Sequence, residues 1–410
     1  MKMEGLKKLL KKDSKSKIIL LVLDGVGDLP VKEGKTPLEL AKTPNLDNLA
    51  CRSATGLHIP VDYGITPGSG PGHLGIFGYD PLKVEIGRGI LEAVGVGLEV
   101  RETDVAIRGN FATVRYIDGK PVVIDRRAGR IPTEENKRLI KYLSENIKKI
   151  DEAEVILCSG KEHRFSLILR FPYRLTPFFE KINDTDPQAT ERSPLLPVGE
   201  NPEAQKVAII ARKFIDKASE LLKKEPKANY ILLRGFSVKP DLEAFPDKFG
   251  LKSACIALYP MYKGLASLVG MDLITFEGES MEAEVKALKT FWEDYDFFFV
   301  HIKKTDSYGE DGNYEGKISV IEEFDKTLSE ILSLNPQVIA ITGDHSTPCM
   351  LKAHSWHPVP VLLHSPYCLG GLSQRFTERE CFKGELGIFP SYKLMPLLLA
   401  HAGRLNKFGA

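Results

Sequence analysis

No charge of either sign dominates this chain. Its 56 Lys and Arg residues against 55 Asp and Glu leave a formal net charge of +1 over 410 residues. That balance gives no global reason to expect nucleic acid or a membrane surface as a partner, so any anion binding must come from local clusters. Cysteine is sparse: Cys51, Cys158, Cys255, Cys349, Cys368 and Cys381 are widely spaced with no C-x-x-C pair. This argues against a disulfide framework and for a reducing, cytoplasmic setting. The apolar run Ile18 to Leu23, behind a basic N-terminal segment, is too short for a signal-peptide core or a membrane span. Familiar nucleotide and hydrolase signatures are missing as well. No G-x-G-x-x-G follows a strand-like segment, which leaves a dinucleotide fold without support. Gly34-Lys35-Thr36 fails as a phosphate loop because Leu29 stands where the first glycine belongs and Pro37 follows. Gly68-Ser69-Gly70 fails as a nucleophile elbow because Pro67 and Pro71 occupy the outer glycine positions. There is no internal repeat and no low-complexity tract.

What the chain does have is a stretch around which the rest is organised, TPGSGPGHLGIFGYDP at Thr66 to Pro81. Pro67 to His73 packs three glycines and two prolines around Ser69, a composition unsuited to a regular element. Such a loop can hold a hydroxyl close to a phosphate or a metal ion. The apolar pattern from Leu74 onward places Ser69 just ahead of a short helix.

The length allows two or three domains. Lys17 to Leu23 reads as a strand buried on both faces. Ser253–Leu258, Phe297–Ile302, Val338–Thr342 and Pro360–Leu363 are further candidate strands. Helices alternate with them at Ser280–Asp294, Gly316–Leu334 and Tyr392–Ala402. Between the two parts the texture changes: a hairpin at Asp104 to Asp125, a helix from Thr133 (as N-cap) to Ile150, strands at Glu154–Cys158 and Arg164–Arg170, and a helix at Pro202–Lys223. Thr176 to Pro202, irregular and rich in proline, reads as a functional loop or lid. The expected fold class is therefore α/β: a three-layer core with a mostly parallel sheet, formed by residues 1–97 and 241–410, plus an inserted smaller α+β domain at 98–240.

Three core strands end in or near an aspartate: Asp24, Asp306 and Asp344. Ligands of open parallel sheets bind outside the carboxyl ends of the strands. Carboxylates gathered there repel one another unless a cation balances them. His345 and His354 add imidazoles, and mixed Asp, His and hydroxyl ligation suits Mn²⁺, Zn²⁺ or Mg²⁺. Two such ions roughly 3.5–4 Å apart serve phosphoryl transfer. Any one of these aspartates alone would read as a helix cap, and His58, His163, His301 and His401 read as structural; the conjunction favours metal.

The segments LDGVGD, KTPLELAKTPNLDNLA, GSGPGHLGIFGYDP, IGRGILEAVGVG, DRRAGRI, KKTD…DGN…GK, TGDHSTP and AHS…PVPVLL together resemble the archaeal-type cofactor-independent phosphoglycerate mutases of the alkaline phosphatase superfamily. The resemblance runs from about residue 17 to the C-terminus. It implies an alkaline-phosphatase-like core, interconversion of 3-phosphoglycerate and 2-phosphoglycerate through a phosphoserine, no 2,3-bisphosphoglycerate, and two divalent ions, manganese above all, with Mg²⁺, Co²⁺ or Zn²⁺ as substitutes. By matching motif, Ser69 is the implied nucleophile and a metal ligand, joined by Asp24, Asp344 and His345 at one ion; Asp306 and His354 hold the other. The family pattern D-x-x-G-H-D-G reads here Asp306-Ser-Tyr-Gly-Glu310-Asp311-Gly312, so Glu310 is the expected oxygen ligand in place of histidine. Gln188 replaces the histidine of DTDPH, and RGAG appears as Arg234-Gly-Phe-Ser237. A substrate with a phosphate and a carboxylate calls for guanidinium forks: Arg126 and Arg130 are expected to face it, Arg127 to turn away, and Arg234 and Lys263 to join. Asp125 is the candidate base for the substrate hydroxyl, with a turn aspartate as the competing reading. Closure of the inserted domain would keep water from the phosphoserine. A metal-dependent phosphomonoesterase, a homoserine-kinase-like phosphotransferase that would require ATP, and a non-enzymatic decayed paralogue that lacks the second ion are the rival readings on the same core.

Overall fold

Six consecutive apolar residues, Ile18–Leu23, all fully buried, form the centre of an eight-stranded sheet. The structure, a computed structural model, describes residues 4–11, 14–84, 86–176 and 181–409. The strand order is Asp272–Leu273, Ser253–Ala257, Phe297–Ile302, Ile18–Leu23, Val338–Thr342, Val359–His364, Ala54–Ile59 and Gly387–Pro390. The first five run parallel, Val359–His364 is antiparallel to both its neighbours, and Gly387–Pro390 runs parallel to Ala54–Ile59. The fold is thus α/β with a mostly parallel sheet. A parallel sheet needs both faces covered, which is why its strands read as unbroken apolar runs. Ile19, Leu21 and Leu23 join Ile321, Phe324 and Leu328 of helix Tyr314–Leu332 in one buried cluster.

The chain divides into two compact units, one of residues up to 85 and from 242 onward, the other of Ile86–Asp241. The second unit begins earlier than the expected 98, and the reason is packing. The helix Arg88–Gly95 lies on the strands Asp104–Ile117 and Tyr230–Val238. A Cβ on Gly89 would come within 2.0 Å of the Ala106 carbonyl oxygen, and the Ile90 N–H donates to Ser237 Oγ at 3.0 Å. This unit is built on an antiparallel sheet whose long strand, Asp104–Ile117, pairs with Lys120–Asp125, Arg164–Arg170 and Tyr230–Val238. Asp118 and Gly119, both at positive φ, close the expected hairpin.

Some boundaries move. The helix read to Ile150 stops at Asn146, and its N-cap is Pro132. Thr133 instead accepts a bond from the Glu162 N–H. The helix read as Ser280–Asp294 spans Met281–Thr290, with Ser280 as its N-cap, accepting from the Ala283 N–H. Of the loop read as a lid, residues 177–180 lie outside the described residues. The part beyond them is stitched to strand Tyr230–Val238: the Thr185 N–H donates to the Leu233 carbonyl at 2.8 Å, and the Leu233 N–H donates to Thr185 Oγ1 at 2.7 Å. Among the described residues no helix is long and apolar enough to cross a membrane, and the six cysteines are free.

Candidate active site

Register assembles the first half of the site. Leu23 pairs with Ile302 and Val22 with Thr342, so three parallel strands end level and release Asp24, Lys303 and Gly343-Asp344 side by side. The ligand atoms of Asp24, Asp344 and His345 all lie within 4.8 Å of one another, and so do those of Asp306, His345 and His354. His345 belongs to both groups. Its Nε2 is 3.1 Å from Asp344 Oδ2 and 3.3 Å from Asp24 Oδ1, and the His345 and His354 rings stack at 3.7 Å.

Hydrogen bonding fixes what these imidazoles present. The Thr347 hydroxyl donates to Asp306 Oδ1 at 2.6 Å, so at its 3.0 Å contact with His345 Nδ1 it accepts. His345 therefore carries its proton on Nδ1 and turns a bare Nε2 lone pair toward the carboxylates. Burial pushes this imidazole below its ordinary pKa, which favours the neutral ring. His354 does the same: its Nδ1–H donates to the Pro67 carbonyl at 3.0 Å, and its Nε2 lies 3.6 Å from Asp306 Oδ1. Buried Asp24 Oδ1, Asp344 Oδ2 and His345 Nε2 have no hydrogen-bond partner. Lone pairs converging on lone pairs in a dry pocket demand a cation, and an all-oxygen-and-imidazole donor set fits a divalent ion. Lys303 supplies one positive charge here, its ammonium bonding Asp24 Oδ2 at 3.1 Å and also Asp306.

Ser69 opens the helix Ser69–Ile76, where unpaired N–H groups favour anions. The loop around it is anchored to both groups. Pro67 holds His354, and His73 Nδ1 lies 2.9 Å from the Ser69 carbonyl and 3.1 Å from Asp344 Oδ2. A Cβ on Gly72 would meet the Asp344 carbonyl oxygen at 2.7 Å, so glycine there permits the close approach. Glu310 sits at the rim: Oε1 is 3.9 Å from His354 Nε2, and the side chain is 55% exposed. His345, rather than Glu310, is the third member of the tight group with Asp306 and His354. His301, set aside as structural from sequence, lies with Nε2 3.2 Å from Asp24 Oδ2 and stacks on Tyr262 at 3.6 Å. Neither it nor Lys303 is singled out by spacing alone; the signal available is position, at the end of and just past the strand Phe297–Ile302.

The second unit carries a pocket lined by six arginines, Arg108, Arg126, Arg127, Arg130, Arg164 and Arg234, with only Glu162 and Asp186 as acids. Asn110 and His163 complete the lining. Asp186 accepts a bidentate fork from Arg126 at 2.7 and 2.8 Å and a further bond from Arg234 at 3.3 Å, while Asp184 accepts from Arg234 Nε at 3.1 Å. These acids orient two guanidinium groups and leave the pocket positive, which suits a multiply charged anion. Arg127 does not turn away: positive φ at Ala128, Gly129 and Arg130 curls the loop so that all three arginines line the pocket. Asp125 is a turn aspartate. Its Oδ1 accepts from the Arg127 N–H at 2.7 Å and its Oδ2 from the Gly129 N–H at 2.8 Å, and it is not among the residues that line the pocket. Lys263 belongs to the other unit, with its ammonium 5.9 Å from the Phe276 ring centroid, and is not part of this lining. Gln188 contributes backbone: its N–H donates to Asp186 and its carbonyl accepts from Arg126. The departure from histidine at 188 therefore leaves these backbone contacts available.

Comparison with known proteins places this geometry in context. Residues 50–228 match the family model described as 2,3-bisphosphoglycerate-independent phosphoglycerate mutase. A protein of Aquifex aeolicus named "probable 2,3-bisphosphoglycerate-independent phosphoglycerate mutase" is 66% identical over 408 residues, covering 100% of both chains. A protein of the same name from Thermotoga maritima is 55% identical over 97% of each. The solved cofactor-independent phosphoglycerate mutase of Thermoplasma acidophilum superposes with a TM-score of 0.77 at 30% identity, over 95% of this chain and 100% of that one.

Proposed function

The chain belongs to the 2,3-bisphosphoglycerate-independent phosphoglycerate mutase family, and from that premise we propose that it interconverts 3-phosphoglycerate and 2-phosphoglycerate through a phosphoserine on Ser69. It is an isomerase, an intramolecular phosphotransferase with a small-molecule substrate. Ser69 Oγ attacks phosphorus, the bond from phosphorus to the substrate's O3 breaks, and O3 takes a proton to leave glycerate. O2 of the same glycerate then loses its proton and attacks the phosphoserine, the bond from phosphorus to Ser69 Oγ breaks, and Oγ takes a proton back. Two divalent cations, held by Asp24, Asp344 and His345 and by Asp306, His345 and His354, supply when bound the charge that acidifies a serine hydroxyl and offsets the phosphate dianion. The chain's own part is positional. His345 and His354 keep their lone pairs inward because Thr347 and Pro67 hold their Nδ1 protons. Ser69 is held at a helix N-terminus by a loop tied to both groups, and the arginine pocket recognises the anionic groups of phosphoglycerate. The observation that carries this reading is the convergence of the two bare Nε2 atoms with three buried carboxylates beside that loop. Acid quenching during turnover, followed by mass spectrometry, should find one phosphate on the peptide containing Ser69. Phosphate on another residue, or on none, would contradict it.

Mn²⁺ is the ion we assign, in a cytoplasmic enzyme. Glu310 stands beside the second group of ligands. Its carboxylate stands at the rim within reach of His354, adding negative charge and a hard donor, which tilts the group toward Mn²⁺ or Mg²⁺ over Zn²⁺. Glu310→Ala should bind one metal equivalent fewer and lose most activity, while Glu310→His should keep both. Elemental analysis of the Mn²⁺-reconstituted variants reads this directly, and an Ala variant with wild-type content removes Glu310 from the site.

Arg126→Ala should raise KM for 3-phosphoglycerate and lower kcat/KM by roughly 2–4 kcal/mol equivalent, since it removes a guanidinium charge from the pocket and leaves buried Asp186 without its fork. Steady-state kinetics check it; unchanged KM would place the substrate elsewhere.

A further inference from the structure

A lysine that bonds none of the cation-group side chains and lines no part of the arginine pocket adds a side-chain tie between the ligand loops, which the Thr347 N–H also joins by donating to the Gly25 and Gly27 carbonyls at 3.3 and 3.0 Å. Lys317 lies in the helix Tyr314–Leu332 and is fully buried. Its ammonium donates to the Gly25 carbonyl at 2.8 Å, the Thr347 carbonyl at 3.0 Å and Asp28 Oδ2 at 2.8 Å, with the Gly27 carbonyl a longer fourth acceptor at 3.4 Å. An ammonium has three donors, and all three are used. Gly25 directly follows Asp24. Thr347 carries the hydroxyl that bonds both Asp306 and His345. Asp28 in turn accepts from the Cys349 N–H at 3.1 Å, so lysine and aspartate together span the loops at 24–28 and 344–349.

The packing at this junction leaves no slack. A Cβ on Gly25, which is at positive φ, would lie 2.5 Å from Thr347 Oγ1 and 2.8 Å from Asp306 Oδ1. A shift of the Thr347 backbone therefore moves the hydroxyl that sets the His345 tautomer. We propose that Lys317 is a positioning residue: by drawing the Gly25 and Thr347 carbonyls onto one ammonium, it sets the spacing of Asp24, His345 and Asp306 and so tunes their affinity for divalent metal. This rests on the two-ion reading above. A buried ion pair is weak evidence of stability, because replacing both charges often costs little net. Holding two loops at a fixed separation is the better account of why a charge is retained there.

The test exploits that difference. Lys317→Met combined with Asp28→Asn removes both charges yet keeps an oxygen for the Cys349 N–H. Calorimetric Mn²⁺ titration of this double variant should show affinity weakened about 10–100-fold, the usual effect of losing an outer-shell partner. Its urea midpoint should stay near wild type. For 3-phosphoglycerate, kcat should fall while KM holds. Asp28→Asn alone, which keeps the lysine and its carbonyl contacts, should bind Mn²⁺ nearly as wild type. If the double variant does not fold, Lys317→Gln, whose amide cannot engage both the Gly25 and Thr347 carbonyls together with Asp28, takes its place with the same expectation. A folded double variant with wild-type Mn²⁺ affinity overturns the proposal, as does an Asp28→Asn loss equal to the double variant's. Wild type that binds no Mn²⁺ refutes the two-ion reading instead, so the two failures are distinguishable.

Discussion

Ser69→Ala is expected to abolish turnover, by roughly 10⁴-fold or more in kcat, the scale on which removing a nucleophile acts. The fold should be indifferent to the change. Ser69 is half-buried at the first position of an eight-residue helix, and its carbonyl, not its hydroxyl, makes the contact with His73. Alanine suits a helix, and a substitution with no buried polar partner to strand shifts stability by about 0.5 kcal/mol or less. A urea melt superimposable on wild type together with no product in the mutase assay is the predicted pair of results. A variant retaining a substantial share of wild-type rate would show that the phosphoryl group never rests on this serine.

His345→Ala is the second large effect, and it separates this arrangement from two independent ion sites. Because His345 is common to both groups of potential ligands, its loss should remove both Mn²⁺ equivalents and with them all activity. His354→Ala should remove only one, since His354 belongs to a single group. Elemental analysis after Mn²⁺ loading and gel filtration reads the stoichiometries. Two ions retained in His345→Ala would mean that each group is complete without it.

Why part of this was legible in sequence follows from how the information is carried. Ile18–Leu23, Phe297–Ile302 and Val338–Thr342 announce themselves because strands buried on both faces must be apolar at every position. The aspartates that end or follow them then fall at the ligand-binding edge of the sheet. The strand Ala54–Ile59 gives no such signal, because Gly56 and His58 interrupt its apolar run. Glycine is needed at 56, where a Cβ would lie 2.6 Å from the Gly387 carbonyl oxygen. The imidazole of His58 is buried against the Gly343 carbonyl, with burial lowering its pKa to about 4. The arginine pocket was only half visible. Arg126, Arg127 and Arg130 are adjacent in sequence, but Arg108 and Arg234 meet as cross-strand partners, and Arg164 is brought in opposite Asn110. Register of that kind depends on pairings hundreds of atoms apart and leaves no local trace. Asp125 shows the opposite limit: an aspartate beside arginines looks the same in sequence whether it serves a substrate or caps a turn, and its two N–H contacts appear only in the fold.

The account stands or falls on whether the phosphoryl group is moved within glycerate rather than given to water. Purified, Mn²⁺-loaded protein should be incubated with 3-phosphoglycerate and no bisphosphoglycerate, with 2-phosphoglycerate followed through enolase and inorganic phosphate measured in the same samples. The predicted result is sustained formation of 2-phosphoglycerate that far outpaces phosphate release. Phosphate release exceeding 2-phosphoglycerate formation would contradict it and assign the site to a phosphomonoesterase.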